Sequence, residues 1–286
     1  MRGLARAGIA VAGLGLAFGV AVLAGAAVPQ IHDDAEVAEA VHGHAAEVAP
    51  AHGGGHATAA PAGLAVAEDG YRLVPGATTL PAGEAVTWRF RVVGPDGDAV
   101  TDFDVEHEKR LHLIVVRRDA TGFQHLHPEM ASDGTWSTDL KLDEPGSYRL
   151  FADFSHKGEK ATLATDLRVD GPADLRPLPA PEATAVSDGG YDVRLDAGAA
   201  RPGREADLRF TITRGGEAVR TEPYLGAGGH LVALRDGDMA FLHVHPTADD
   251  SVRFAATFPT EGRYRLFLQF RHEGRVQTVA FTHEVS

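Results

Sequence analysis

Apolar and polar residues alternate in short runs along most of the chain after residue 63. Alternation with a period of two is typical of β-strands that bury one face, and no run keeps a helical period. Turn-forming sequences such as 94–97, 119–122 and 144–146 separate the runs. In the first half, the predicted strands are 86–93, 111–118, 135–142, 148–156 and 161–169. About seven such strands in ~100 residues are typical of an immunoglobulin-like β-sandwich.

The chain contains an internal repeat. The matching segments are 111–116 with 229–234, 123–128 with 241–246, and 146–151 with 262–267. Similar segments in the same order indicate a duplicated structural unit. The sequence therefore predicts an all-β protein with two tandem immunoglobulin-like β-sandwich domains, at 64–171 and 189–286, joined by a Pro-rich linker at 172–188. Tyr148, in the second half of the first repeat, resembles the tyrosine corner of that fold.

The N-terminal region has a different composition. Arg2 and Arg6 precede an apolar run at 7–28, which predicts a signal peptide or a helical membrane anchor at 1–28. We therefore expect an extracytoplasmic protein, secreted or anchored to the outer face of the cell membrane. Residues 29–63 are rich in Ala, Gly and His and predict a disordered linker. The linker's histidines either bind metal weakly or are simply solvated.

Charge and cysteine content narrow the possible partners. The formal net charge is −13, which argues against nucleic acid as a partner because phosphates repel an acidic protein. The chain has no cysteine, so disulfides, thiolate metal sites and a blue-copper centre are excluded. A metal ion here would have to use imidazole, carboxylate or thioether ligands.

Histidines recur at matching positions of the two repeats and are the candidate metal ligands. They are His112, His125, His127 and His156 in the first repeat, and His230, His243, His245 and His272 in the second. Residues two apart on a strand share a face, so His125 and His127 should point the same way. A two-residue hairpin at Asp236-Gly237 would set His230 opposite His243.

The fourth histidine of each repeat ends a row of core-facing positions. Tyr148, Leu150, Ala152, Phe154 and His156 alternate on one face. If the hairpin ends at the same pole of the sandwich, each repeat presents three or four imidazoles, which predicts two metal sites per chain. Imidazole sets of this kind suit Cu(II), Zn(II), Ni(II) or iron.

Other interpretations of the histidines remain open at the level of the sequence. They could hydrogen-bond buried backbone groups, or form a protonation switch near pH 6 in a structural or adhesion protein. A cupin-like enzyme would use His125, His127, Glu129 and His156, but Thr247 replaces the glutamate in the second repeat. The acidic segment 104–108 either orients an imidazole or forms a solvated loop. His283 has no counterpart and is expected at the surface.

The segments 105–113, 121–128, 223–226 and 242–246 carry a family resemblance. Through them, the chain resembles a family of uncharacterised secreted actinobacterial tandem-repeat proteins. At the level of domain class, it is similar to the YtkA-like and CopC-like sandwiches associated with extracytoplasmic copper. This resemblance implies binding, buffering or delivery of copper. One departure matters, because CopC-type sites use a histidine at the mature N-terminus, and cleavage near Ala26 would leave Ala27 there.

Overall fold

The computed structural model of the protein describes residues 61–242, 244–247 and 252–286. The predicted signal or anchor at 1–28, most of the linker at 29–63, and His243 lie outside these residues. Within the described ranges, all regular secondary structure is β. No helix in this part of the chain is long and apolar enough to cross a membrane.

The first repeat forms two sheets that pack face to face. Its strands are β1 (Ala67–Glu68), β2 (Tyr71–Pro75), β3 (Thr79–Leu80), β4 (Ala85–Val93), β5 (Leu111–Arg117), β6 (Gln124–Leu126), β7 (Glu129–Met130), β8 (Trp136–Lys141), β9 (Gly146–His156) and β10 (Glu159–Val169). One sheet has the order β1-β2-β4-β8-β7 and the other β3-β10-β9-β5-β6. The pairing is antiparallel except between β3 and β10.

The second repeat also forms two sheets. Its strands are β11 (Thr184–Val186), β12 (Asp192–Asp196), β13 (Glu205–Arg214), β14 (Glu217–Ala218), β15 (His230–Arg235), β16 (Phe241–Leu242), β17 (Val244–Pro246), β18 (Arg253–Thr257), β19 (Gly262–His272) and β20 (Arg275–Val285). One sheet has the order β11-β12-β13-β18-β17, with β14 on β13, and the other β16-β15-β19-β20. The predicted fold class, two tandem immunoglobulin-like sandwiches, is confirmed.

Each repeat has its own apolar core between its two sheets. In the first repeat, the inward positions of β4 are Trp88, Phe90 and Val92, which alternate with exposed residues. In the second, Leu208 and Phe210 of β13 occupy the equivalent layer. The apolar positions of the period-two pattern are thus the residues that face the core of each sandwich.

A third apolar cluster joins the two repeats to each other. It is built from Ile114, Val116, Phe151 and Ala164 of the first repeat and Val232, Leu234, Met239, Phe241 and Phe267 of the second. These side chains lie on the outer faces of β5, β9, β10, β15, β16 and β19, opposite the sandwich cores, except that of Met239, which lies in the loop before β16. All seven residues of β5 are buried because its inward face packs in a core and its outward face packs against the other repeat.

The contact between the repeats uses equivalent residues from each. Phe123 stacks on Phe267 with ring centroids 4.2 Å apart. The equivalent pair, Phe241 and Phe151, has centroids 5.4 Å apart. A reciprocal contact of this kind is the arrangement found across a two-fold axis in symmetric dimers. Residues at matching positions near this axis are therefore brought close together.

One hairpin differs from the sequence prediction. Arg235 N donates to Ala240 O, and Ala233 lies opposite Leu242. The loop therefore spans residues 236–239 and the register is two residues away from the one predicted with a two-residue loop. The wider loop is held by the Asp238 carboxylate, which accepts hydrogen bonds from Ala240 N and from Arg235 Nε, both at 3.0 Å.

Both repeats contain a tyrosine corner, which allows a test of the fold. Tyr148 donates its hydroxyl to Glu144 O at 2.7 Å, and Tyr264 donates to Thr260 O at 2.9 Å. We expect Tyr148→Phe and Tyr264→Phe each to lower the free energy of unfolding by about 1 kcal/mol or more, because Tyr148 loses its bond to Glu144 O and Tyr264 loses its bonds to Thr260 O and Thr260 Oγ1. Urea denaturation measures this loss. Unchanged stability in both variants would show that the corners do not contribute.

Candidate metal centre

His112 projects from the outer face of β5 toward the second repeat. Its neighbours Leu111 and Leu113 point into the core of the first repeat, so strand alternation places His112 on the opposite face. Its side chain is buried. The ring Nδ1 lies 2.9 Å from His125 Nε2, and the ring Nε2 lies 3.1 Å from the backbone oxygen of Glu106.

His125 and His127 approach His112 from the neighbouring strand. β6 pairs with β5 so that Ile114 lies opposite His125, and continuing this register places His112 opposite His127. His127 Nε2 is buried and has no hydrogen-bond partner among the described residues. One ligand atom from each of the three histidines lies within 4.8 Å of the others. His125 and His127 share a face, as the sequence predicts, and His112 lies beside them.

The hydrogen bonds of His112 and His125 orient their lone pairs toward each other. The Glu106 backbone oxygen only accepts, so His112 carries its proton on Nε2. Gln269 Oε1 lies 2.7 Å from His125 Nδ1 and likewise accepts, so His125 carries its proton on Nδ1. The two remaining nitrogens, His112 Nδ1 and His125 Nε2, then face each other as lone pairs at 2.9 Å. Two lone pairs repel unless a proton or a metal ion lies between them.

Distal acceptors of this kind are characteristic of metal-binding histidines. A ligating imidazole usually donates its other N–H to a carbonyl or carboxylate, which fixes the tautomer and the ring orientation. Glu106 provides this acceptor for His112, and Gln269 provides it for His125. Gln269 is itself held by a hydrogen bond from its Nε2 to Thr278 Oγ1 at 3.2 Å. The second repeat thus orients a ligand of the first.

Two further histidine rings pack around these three. His230 is equivalent to His112 and stacks on it, with centroids 5.6 Å apart and planes inclined by 7°. Its centroid also lies 4.7 Å from that of His125. His107 contacts His112 and His230, with centroids 6.1 and 6.0 Å away. We call these five residues, His107, His112, His125, His127 and His230, the histidine cluster.

Burial keeps the imidazoles of His112, His125, His127 and His230 neutral. Desolvation, aided by the neighbouring imidazoles, lowers the pKa of His125 to about 3 and that of His127 to about 4. Burial also lowers the pKa of His112 and takes the pKa of His230 well below its ordinary value. Neutral imidazole is the form that binds a metal ion.

The other predicted ligands lie elsewhere or outside the described residues. His156 Nδ1 bonds the Tyr71 hydroxyl at 2.7 Å and its Nε2 lies 3.0 Å from Asp102 Oδ1. His272 Nδ1 bonds the Tyr191 hydroxyl at 2.8 Å. His245 lies opposite Ala255, at an exposed position of β17. His243 lies outside the described residues.

In the first repeat, three of the four predicted ligands come together and His156 lies apart from them. The site predicted in the second repeat includes His243, which lies outside the described residues, and stays a prediction. His230 lies against the histidines of the first repeat. The physical reason is that His112 and His230 lie on outward faces, which the contact between the repeats brings together. His156 and His272 lie on the inward rows of β9 and β19 and bond tyrosines.

Sequence reasoning left one contributor to this site undecided and missed another. The segment 104–108 was expected either to orient an imidazole or to be solvated, and it does both. The Glu106 backbone oxygen binds His112 and His107 joins the cluster, while the Glu106 carboxylate pairs with Lys160. Gln269 carried no signal, because its role depends on the contact between repeats. Glu129, considered for a cupin-like site, is exposed on β7 in the opposite sheet.

His283, expected at the surface, is instead half-buried. Its ring packs against Phe258 with centroids 5.4 Å apart, and its Nε2 is buried. Burial lowers the pKa of His283. It lies on β20, away from the segments that form the histidine cluster.

The fold and the site define a tandem pair of immunoglobulin-like sandwiches that enclose a buried histidine cluster at their mutual contact. Residues 65–171 and 184–286 match the family described as Domain of unknown function (DUF8832). The chain belongs to this family and contains two copies of its domain. No protein of curated function matches the sequence.

Similar solved structures include bacterial proteins at low identity. The Escherichia coli adhesin FdeC is 15% identical, with a TM-score of 0.28 over 78% of this chain and 66% of that chain. Salmonella alpha-2-macroglobulin is 14% identical, with a TM-score of 0.28 over 79% of this chain and 15% of that chain. Yersinia pseudotuberculosis InvD is 10% identical, with a TM-score of 0.27 over 76% and 57%. The chain spans less than two thirds of the length of each.

Proposed function

We propose that this protein is an extracytoplasmic metal-binding protein that holds one transition-metal ion at His112, His125 and His127. The observation that carries the proposal is the pair of lone pairs on His112 Nδ1 and His125 Nε2, which face each other at 2.9 Å with both distal nitrogens held by acceptor oxygens. The unpartnered Nε2 of His127 adds a third nitrogen. A metal ion satisfies all three.

The ligand chemistry selects the class of metal. Three neutral imidazoles without a carboxylate favour copper or zinc over magnesium and calcium, which prefer oxygen ligands. Copper is our first choice, because the resemblance to extracytoplasmic copper-associated sandwiches points the same way. The function that fits such a site is buffering or delivery of the ion. The histidines of the 29–63 linker add weaker binding in this proposal.

A route from solvent supports the proposal. His127 lines a surface depression of about 250 Å³ in which the charged residues are Glu108, Lys109, Arg110 and Glu129. An ion can therefore reach His127 first and then pass to the deeper His112 and His125. A functional metal site needs such an entry path.

The experiment is a titration of Cu(II) and of Zn(II) into the full chain. Calorimetry measures the binding of both ions, and electron paramagnetic resonance also detects bound Cu(II). We expect His125→Ala/His127→Ala to lose one tightly bound equivalent per chain, since two of the three ligands are gone. His272→Gln is the matched control, because it removes a histidine that lies outside the cluster. The linker histidines are present in all three proteins, so their weak binding cancels in the comparison.

Gln269→Leu separates a metal site from a purely structural cluster. It leaves every histidine in place but removes the acceptor that fixes the His125 tautomer. We expect the affinity for metal to fall about tenfold to a hundredfold, as is typical for such partners. Unchanged stoichiometry in His125→Ala/His127→Ala would contradict the proposed site outright.

A further inference from the structure

A cleft lies between the two repeats, beside the turns that follow β5 and β15. Its volume is about 230 Å³. Apolar side chains of the linker and of the second repeat form much of its wall, namely Leu175, Leu178, Leu234 and Met239. Arg265 also lines the cleft. Its surroundings differ from those of the equivalent residue in the first repeat.

Arg149 is the equivalent of Arg265 in the first repeat. Each lies two residues before a phenylalanine of the contact between repeats, with its guanidinium carbon 5.9 Å (Arg149) or 5.8 Å (Arg265) from that ring's centroid. In both residues, Nε is buried without a hydrogen-bond partner among the described residues. The two differ in what their outer guanidinium nitrogens meet.

The charge of Arg149 is compensated within the chain. Its Nη1 donates to Asp166 Oδ1 at 3.2 Å, and its Nη2 donates to the backbone oxygens of Gly63 and Leu64, both at 2.8 Å. Asp166 lies directly opposite Arg149 in the pairing of β9 with β10. One carboxylate and two carbonyl oxygens therefore surround this guanidinium.

Arg265 lacks this compensation. The residue opposite it in the pairing of β19 with β20 is Thr282, not an acid. The bond from Arg265 Nη1 to Thr282 Oγ1, at 3.0 Å, is neutral at its acceptor end. Burial lowers the pKa of Arg265, with no acidic neighbour to offset the effect. A half-buried guanidinium without an anion is unfavourable, since it has lost water and gained no partner.

The other charged groups around the cleft already have partners. The pairs are Arg118 with Asp166, Arg176 with Glu144, Arg235 with Asp238, Asp119 with Arg117, and Asp236 with Arg263. They leave the positive charge of Arg265 uncompensated inside a partly apolar cleft. A guanidinium in such a setting recognises a carboxylate through paired N–H donors.

We propose that this cleft is a binding site for an organic carboxylate with an apolar body, in which Arg265 holds the carboxylate and the leucine and methionine side chains contact the body. The carboxylate of the ligand supplies to Arg265 the negative charge that Asp166 supplies to Arg149. Two sources offer this chemistry, a small organic acid and the C-terminal carboxylate of a peptide. This site is separate from the metal centre, and either proposal can fail without the other.

The test uses the full chain and three probes, benzoate, N-acetyl-leucyl-leucine with a free carboxylate, and benzamide as the uncharged comparison. Binding is followed by NMR through the Nε–H signal of Arg265 and the amides of 118–120 and 235–239. We expect one or both carboxylates to shift these signals saturably and benzamide to leave them unchanged. The stronger of the two carboxylates identifies the source.

Three substitutions make the test decisive. Arg265→Met should weaken carboxylate binding at least tenfold, whereas Arg194→Gln, which changes the net charge equally on an exposed strand, should not. Thr282→Asp restores the missing acid, so it should raise the melting temperature and also block the probes. Absence of carboxylate binding to the unmodified chain, or equal binding to Arg265→Met, would overturn the proposal.

Discussion

Acidification from pH 7 to pH 5 should destabilise this protein steeply. Burial lowers the pKa of His125 to about 3 and takes that of His230 well below the ordinary value, whereas both titrate near 6.5 in the unfolded chain. Below pH 6.5, the unfolded chain therefore binds more protons than the folded chain, and lowering the pH favours unfolding. The free energy of unfolding is therefore unaffected by protonation of these residues above pH 6.5, and it decreases as the pH falls below that value.

The expected loss of stability on acidification is large because several imidazoles contribute to it. His125 and His230 should each remove roughly 1 kcal/mol of unfolding free energy per pH unit below 6.5. His112 and His127, whose pKa values are also lowered by burial, add to the same slope. The acidic groups with lowered pKa values, such as Asp104 and Asp238, have ordinary values near 3.8 and act at lower pH. The window from pH 5 to 6.5 therefore reports the histidines.

Urea denaturation at several pH values measures this slope. Circular dichroism follows the whole chain, while tryptophan fluorescence follows the first repeat, which contains both Trp88 and Trp136. His125→Gln/His127→Gln should have a shallower slope than the unmodified protein. An equally steep slope in that variant would assign the pH dependence to other groups. Saturating Zn(II) should raise the free energy of unfolding across this window without flattening the slope, because the ligating imidazoles of the folded chain already carry no extra proton there.

The sequence was sufficient to predict the sandwiches because their inner faces follow a local rule. Every strand that packs in one core alternates with a period of two, as Trp88, Phe90 and Val92 do in β4. The duplicated segments then showed that this unit occurs twice. The same alternation placed His125 and His127 on one face, where the structure has them next to His112.

The shared location of the site could not be predicted in the same way. It depends on the outward faces of β5 and β15, and no local pattern says which outward face another domain covers. The continuous apolar run from Leu113 to Val116 indicated that both faces of β5 are buried. In a strand with one solvent-exposed face, apolar residues would alternate with polar ones. Used in that way, it would have placed His112 at a contact between domains. The matching position of His230 would then have suggested one shared cluster.

Truncation of the phenylalanines between the repeats should cost both stability and metal affinity. Phe151 and Phe267 are buried in the contact between the repeats, where they pack against Phe241 and Phe123. We expect Phe151→Ala/Phe267→Ala to lower the free energy of unfolding by at least about 3 to 5 kcal/mol, the usual cost of one buried Phe→Ala change. Loosening this contact also moves Gln269 and His230 relative to His112 and His125.

The matched control separates loss of stability from loss of the site. Phe281 is buried in the core of the second repeat, where it packs against Phe210 with centroids 5.6 Å apart. Phe281→Ala should also cost about 3 to 5 kcal/mol, but it leaves the contact between the repeats intact. Titration of Cu(II) at a temperature where both variants are folded should therefore show weaker binding in Phe151→Ala/Phe267→Ala than in Phe281→Ala. Equal affinity in the two variants would mean that the first repeat alone forms the site, and the acceptor from Gln269 would then have no role in holding the metal.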